Sequence, residues 1–99
     1  MFQGFSGSQL VTADVVLGST GKPIRVFGMH ILSGGGGGGV VILRTGIAVG
    51  GAIWVQETGT TSTGKTFDYE NTGFLFPNGC FVDVDANVTS VLVQFAVEA

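Results

Sequence analysis

The sequence contains 99 residues, enough for a single domain, and only 11% of them are charged, compared with about 25% in an average globular protein. The net charge of −3 includes only four basic residues, too few for the basic patch that binding to nucleic-acid phosphates requires. One cysteine excludes a disulfide within the chain, and we expect neither a signal peptide nor a membrane span, because no long apolar run is present.

Short apolar runs between turn residues predict an all-β fold, since β-branched residues favour strands and the 18 glycines suit turns. No window repeats apolar residues at helical spacing. The predicted strands, in chain order, are Gln9–Leu17, Lys22–Leu32, Val40–Thr45, Ala52–Glu57, Lys65–Tyr69, Gly73–Phe76, Cys80–Val84 and Val88–Val97. Turns at about ten-residue spacing indicate a single antiparallel β-sandwich over residues 9–99, jelly-roll-like with about eight strands, behind an N-terminal arm of residues 1–8.

Some predicted strands are apolar on both faces. Neither face of Val40–Leu43 is polar, and both faces of Arg25–Leu32 are mixed. A sandwich that is alone in water needs one solvated face on each sheet, so a strand without that alternation indicates surface buried against another chain. We therefore predict a homo-oligomer, either a trimer or a dimer, or permanent attachment to a larger assembly.

Two segments are candidates for contacts with such partners. Six consecutive glycines between predicted strands could make a flexible hairpin tip, or a tip that becomes ordered against a neighbouring subunit. The arm places two phenylalanines among Gly, Ser and Gln residues, and they either dock onto a neighbour or pack on their own domain. The candidate partner-contact residues are therefore Phe2, Phe5, Gly34, Gly35, Gly36, Gly37, Gly38 and Gly39.

One segment matches the signature of a phosphate-binding P-loop. Residues Gly59–Thr66 fit the pattern G-x-x-x-x-G-K-[ST]. That loop works only where a helix follows it and points its N-terminus at the phosphate. The following residues, Phe67–Gly73, are too few and too rich in aromatic, Asn, Thr and Gly residues for such a helix. We therefore interpret the match as chance and predict no nucleotide cofactor.

The other residues that could bind a metal or take part in catalysis lack the neighbouring motif residues that these roles require. Asp83–Asn87 resembles the start of a calcium loop, but Val88 and Gln94 stand where that loop needs Gly and Glu, so a hairpin turn is the better interpretation. His30, the single histidine, has no nucleophile motif to serve. Cys80 lies in an apolar run and should be a small buried hydrophobe. We predict no catalytic, metal or cofactor-binding residue and expect that the chain is not an enzyme.

A family resemblance is carried by three phrases of the sequence. Gly21–Phe27, Ser62–Phe67 and Phe76–Val84 resemble small virion proteins of tailed bacteriophages, those of marine podoviruses in particular, and the β-sandwich decoration or cement proteins of phage heads. The resemblance implies many copies on the capsid surface, made in the host cytoplasm and bound to the major capsid protein or other virion subunits, with no cofactor. It leaves open whether the protein belongs to the head or the tail.

A second interpretation remains beside the first. A β-sandwich of this size could be a tail- or fibre-associated binding module that recognises a glycan or a protein. Exposed aromatic side chains near loops would then do the binding, and Trp54 and Tyr69 are the candidates.

Overall fold

In a computed structural model of the chain, the structure describes residues 6–19, 21–34, 38–60, 64–69 and 73–98. These residues confirm the all-β prediction, with one short 3-10 turn at Leu17–Ser19. The strands are β1 (Ser6–Val11), β2 (Val15–Val16), β3 (Ile24–Ser33), β4 (Val40–Thr45), β5 (Ile53–Thr58), β6 (Gly64–Asp68), β7 (Phe74–Phe76), β8 (Cys80–Val84) and β9 (Val88–Val97).

The strands form two antiparallel sheets that pack face to face. Sheet A has the order β1-β9-β3-β6, and β7 also pairs with β3, beyond the end of β6. Sheet B has the order β2-β8-β4-β5. The chain passes from one sheet to the other at nearly every connection, and only β4 and β5 form a hairpin among the described strands. Without β7 this is the strand order of a jelly roll, as the sequence predicts.

The core lies between the sheets and is built by alternation along each strand. In β9, Val91, Val93 and Phe95 point inward and are buried, whereas Leu92 and Gln94 point outward. Every strand adds a buried apolar side chain to this core except β2 and β6, whose Val15 and Phe67 are partly buried and pack against it. The largest fully buried side chains are Phe76, Leu17, Ile24, Met29, Ile31 and Leu43.

The mixed faces of β3 have a local cause. Ile24 and Val26 face the core before a register shift, and Met29 and Ile31 face it afterwards. The shift is a β-bulge, which inserts one residue and so exchanges the faces of every residue that follows. The bulge therefore accounts within one chain for the buried apolar side chains on both sides of it, while Leu32 remains exposed and the predicted partner stays a prediction.

The structure also corrects several connections. The predicted strand over residues 9–17 is two strands in different sheets, β1 and β2, because the chain turns after Val11. Residues 6–8 belong to β1, with Ser6 opposite Ala96 in β9, so this part of the predicted arm lies in the sheet. The glycine run and the Asp85–Asn87 turn each join strands of different sheets, so neither is a hairpin tip.

Candidate functional site

The glycine run is tightly packed at both of its ends. The Gly34 N–H donates to the Asn87 carbonyl (2.8 Å). The Gly39 N–H donates to the buried Ser33 Oγ (2.9 Å). A Cβ on Gly39 would lie 2.5 Å from Val88 Cγ2 and would clash with the Val88 backbone. Gly39 is therefore needed for packing inside its own domain, whereas Gly34 has room for a side chain.

The same argument extends to the neighbouring turn. A Cβ on Gly38 would collide with the carbonyl oxygen of Gly59, whose own N–H donates to the Gly39 carbonyl (2.8 Å). Gly59 in turn leaves no room for a side chain, since a Cβ there would lie 2.7 Å from Ser33 Oγ. Gly38, Gly39, Gly59 and Ser33 thus close one end of the sandwich.

The two predicted contact segments approach the domain from opposite ends. Ser6 pairs with Ala96 near the end of β9, whereas Gly34 is bonded to Asn87 just before β9 begins. The ten residues of β9 separate these points by roughly 30 Å. Ser6 and Gly34 therefore lie at opposite ends of β9. Phe2, Phe5 and Gly35–Gly37 lie outside the described residues.

The P-loop-like segment ends in a strand. Lys65 and Thr66 lie in β6, opposite Ile31 and His30 of β3. A strand cannot present the row of helix N-terminal N–H groups that the phosphate cradle requires. Thr66 Oγ1 is instead hydrogen-bonded to His30 Nδ1 (2.8 Å). This geometry supports the interpretation of the motif as a chance match.

The carboxylates of the calcium-like phrase have structural roles. Asp83 forms an ion pair with Arg44 on the outer face of sheet B (3.1 Å). Asp85 accepts hydrogen bonds from the backbone N–H groups of Val40 (3.1 Å) and Asn87 (2.9 Å), and so holds the turn that the sequence predicts. The described residues contain no group of three or more His, Cys, Asp or Glu side chains that could hold a metal ion.

Cys80 is the buried hydrophobe that the sequence predicts. It is fully buried at the start of β8. Burial disfavours the thiolate and raises the pKa of the thiol to about 12. At neutral pH the group is therefore an unreactive thiol.

The two aromatic candidates for ligand binding differ in their surroundings. The Tyr69 hydroxyl donates to Glu57 Oε2 (2.9 Å), and its ring meets Phe74 edge to face (4.9 Å between centroids). Burial, and then the Glu57 carboxylate, raise the pKa of Tyr69 above its ordinary range. Trp54 is 49% exposed and rests one face on Phe76 (5.4 Å). Trp54 is therefore the more available of the two.

One group of exposed apolar side chains lies at the β4–β5 hairpin, and we call Ile47, Val49 and Ile53 the hairpin patch. Ile47 and Val49 are 59% and 58% exposed, and Ile53 at the start of β5 is half exposed. Sequence reasoning missed this site. The signal that could have found it is the placement of two β-branched residues in a glycine-bounded loop, Gly46–Gly51, where no core position calls for them.

A second apolar surface lies on the outer face of sheet A. Leu10, the most exposed large hydrophobic of the described residues, lies opposite Leu92 in β9, which lies opposite His30 in β3. A pocket of about 160 Å³ opens beside them, lined in part by Leu92, His30, Thr66, Asp68 and Gln94.

Comparisons with known protein families, characterised proteins and solved structures returned no match to this chain. Within the described residues there is no helix with the length and hydrophobicity of a membrane span.

Proposed function

We propose that the chain is a structural subunit of a tailed-phage virion, a decoration or cement protein that binds the major capsid protein on the head surface as a homo-oligomer. The hairpin patch carries the proposal. Three β-branched side chains, each half exposed or more, lie in or directly after the β4–β5 hairpin of a domain that has few charges. Exposed apolar side chains that form one patch often mark a surface that contacts another protein.

Other observations support the same assignment. The jelly roll is a fold that virion subunits use repeatedly, although the fold alone does not define a function. The carboxylates of the calcium-like phrase are engaged in structural bonds, and the P-loop-like phrase continues into a strand. The sequence phrases that resemble phage decoration proteins map onto β3, β6 and β8 with their adjoining turns.

The mechanism would be the burial of apolar area across junctions between capsid subunits. Each 1,000 Å² of apolar surface removed from water contributes on the order of 25 kcal/mol before the costs of association are subtracted. A small domain bound at many equivalent junctions would in this way raise the resistance of the shell to internal pressure. The hairpin patch and the N-terminal arm are the proposed points of contact.

The experiment is a binding assay on particles of the virus that encodes the chain. We expect mass spectrometry of purified particles to detect the chain in many copies, and the recombinant chain to co-sediment with heads from which it has been removed. Tails without heads serve as the matched control. Absence of the chain from purified particles would overturn the proposal, and binding to tails alone would favour the tail-associated alternative. Retention of a defined oligosaccharide on a glycan array would favour the glycan-binding module.

A further inference from the structure

We propose that Asn78 is a site of spontaneous deamidation, and that its conversion to isoaspartate loosens the loop that carries the hairpin patch. The chemistry belongs to the turn between β7 and β8 and is independent of the proposed function. Only its consequence for a partner rests on that function, because the partner is proposed to contact the hairpin patch.

The first observation is the residue that follows Asn78. Of the three asparagines in the chain, Asn78 is the only one that precedes a glycine. Deamidation begins when the backbone nitrogen of the following residue attacks the side-chain carbonyl carbon, so a bulky side chain on that residue obstructs it. Gly79 has no side chain, whereas Val88, which follows Asn87, is branched at Cβ. Asn87 is therefore an internal control for Asn78.

The second observation is that the turn holds both reacting groups weakly. Asn78 is exposed and lies between two strands, so water reaches its side chain. None of the described residues forms a hydrogen bond with its side-chain amide. The Gly79 N–H donates to the Phe76 carbonyl at 3.3 Å, which is longer than the range of about 2.7–3.2 Å for ordinary N–H···O bonds. The reaction therefore breaks no strong hydrogen bond at either group.

The reaction needs water as its only co-reactant. The Gly79 nitrogen forms a bond to Asn78 Cγ, and the bond from Cγ to Nδ2 breaks, so that ammonia leaves with the backbone amide proton. Because the nucleophile and the carbonyl belong to adjoining residues, this step is intramolecular and has a high effective concentration. Water then opens the resulting succinimide ring. Attack at Cγ gives aspartate, and attack at the backbone carbonyl carbon gives isoaspartate.

The third observation is that this turn holds the loop of the β4–β5 hairpin. The Gly79 carbonyl accepts a hydrogen bond from the Gly46 N–H (3.0 Å), at the start of that loop. A Cβ on Gly21 would lie 3.5 Å from Ile47 Cγ2 and 4.0 Å from the Asn78 carbonyl oxygen. Asn78 and the hairpin-patch residue Ile47 therefore lie close to the same glycine.

Isoaspartate changes this turn in two ways. Its backbone passes through the former side chain and is longer by one carbon atom, so the Gly79 carbonyl moves relative to Gly46. Its carboxylate also places a negative charge where a neutral amide stood. We expect the hydrogen bond that positions the hairpin loop to weaken, and the hairpin patch to become less ordered as the chain ages.

The first experiment compares ageing of the folded and the unfolded chain. Both are incubated at mildly alkaline pH, the unfolded sample in guanidinium chloride, and mass spectrometry with peptide fragmentation locates each isoaspartate. We expect Asn78 in the folded chain to convert at least about ten times as fast as Asn87, whose attacking nitrogen is on the β-branched Val88. Conversion of Asn78 in the unfolded chain alone would show that the fold protects the turn, and it would overturn the proposal.

The second experiment tests the link to the hairpin. Amide hydrogen exchange at Gly46 is measured in fresh and aged wild type and in an aged Asn78→Ser variant, which has no side-chain carbonyl and cannot form the ring. We expect exchange at Gly46 to become about tenfold faster in the aged wild type and to remain unchanged in the variant. Freshly purified Asn78→Asp carries the charge without the longer backbone, and it should show only the smaller part of this increase.

The outcomes separate the site from its effect and from the proposed function. If Asn78 converts and exchange at Gly46 is the same in fresh and aged wild type, the link to the hairpin is wrong and the modification site stands. If aged Asn78→Ser shows the same increase as the aged wild type, a change elsewhere is the cause and the link is again wrong. Failure of the fresh chain to bind capsids would contradict the proposed function alone, because neither experiment uses a capsid.

Discussion

Two glycine-rich segments stand at opposite ends of the sandwich, and they use glycine for different reasons. At Gly34–Gly39 the described glycines adjoin their own domain, and a Cβ on Gly38 or Gly39 would collide with neighbouring atoms. At Gly46–Gly51, by contrast, Gly46 and Gly50 have no atom within 4 Å of the Cβ position. Gly46 has a φ of +96°, a backbone conformation that other residues rarely adopt. Gly38 and Gly39 therefore need glycine for space, as does Gly51 beside the Thr45 carbonyl, whereas Gly46 needs it for conformation.

This difference indicates which end of the sandwich offers a partner the more exposed apolar side chains. The end that is richest in glycine is closed by its own hydrogen bonds, whereas the hairpin end exposes Ile47 and Val49. The amount of glycine alone does not distinguish these cases, because a packed backbone and an open loop both favour it.

The largest effect that this comparison predicts is at Gly39. We expect Gly39→Ala to lower the free energy of unfolding by about 3 kcal/mol, because the new methyl group meets the Val88 backbone, which cannot rotate away. Gly50→Ala is the matched control and should be neutral or slightly stabilising, since the site is open and alanine reduces the freedom of the unfolded chain. Urea unfolding of both variants makes the measurement. Equal losses at the two positions would contradict the comparison.

The second prediction concerns the hydrogen bond that closes the glycine end. Ser33→Ala removes the acceptor of the Gly39 N–H, which then remains buried without a partner. Such a loss costs about 2 kcal/mol. Equilibrium unfolding should show it, and Ser33→Thr, which retains a hydroxyl, should recover part of it if the extra methyl group is accommodated. An unchanged unfolding midpoint for Ser33→Ala would mean that water replaces the serine and that this end is open.

Sequence reasoning was most successful where strands follow simple alternation. The bounds of β4, β8 and β9 were predicted as the structure has them, because each is an apolar or alternating run that ends at turn residues. The bulge in β3 was missed because an inserted residue looks, in sequence, like a strand with two apolar faces. The break after Val11 was missed because Val15 and Val16 continue the apolar run into the other sheet.

The candidate sites were harder to predict because they depend on which side chains remain exposed to solvent after the chain folds. Ile47 and Val49 stand in a glycine-bounded loop, which is the sequence signal for their exposure, but only the fold shows how far each is exposed. The pocket beside Leu92 is formed by three strands that are distant in sequence, β3, β6 and β9. Sequence identifies the residue types in such a pocket but not their meeting point.

The third prediction tests the interior beneath the hairpin. Cys80 lies opposite Thr45 at the base of the hairpin, and burial raises the pKa of its thiol from an ordinary 9.0 to about 12. The unfolded chain therefore loses the thiol proton first as pH rises, so the folded state loses relative stability from about pH 9 up to about pH 12. The slope from this group is about 1.4 kcal/mol per pH unit.

Comparison with Cys80→Ala isolates this effect. The variant loses some packing at every pH, so it should be less stable than the wild type at pH 7. The gap between the two proteins should narrow by about 1.4 kcal/mol by pH 10, because the variant lacks the titrating group. Unfolding by urea at pH 7, 9 and 10 provides the measurement. If the difference in the free energy of unfolding between the two proteins stayed constant over this range, water would reach Cys80 in the folded state. The core beneath the hairpin would then be accessible to solvent.

The smallest effect on stability is expected at the hairpin patch itself. A small change in stability together with a large loss of capsid binding would be the most informative result for function. Ile47→Ser combined with Val49→Ser changes two side chains that are more than half exposed, so the free energy of unfolding should change by less than about 0.5 kcal/mol. Co-sedimentation with capsids should nevertheless fall at least tenfold, because the proposed contact loses two apolar side chains of about 1–2 kcal/mol each. A matched pair of serines at Leu32 and Leu92, exposed side chains on the outer face of sheet A rather than on the hairpin of sheet B, should retain capsid binding. If the hairpin variant bound capsids as well as the wild type, the exposed isoleucine and valine would be incidental, and the two ends of the sandwich would differ in packing but not in function.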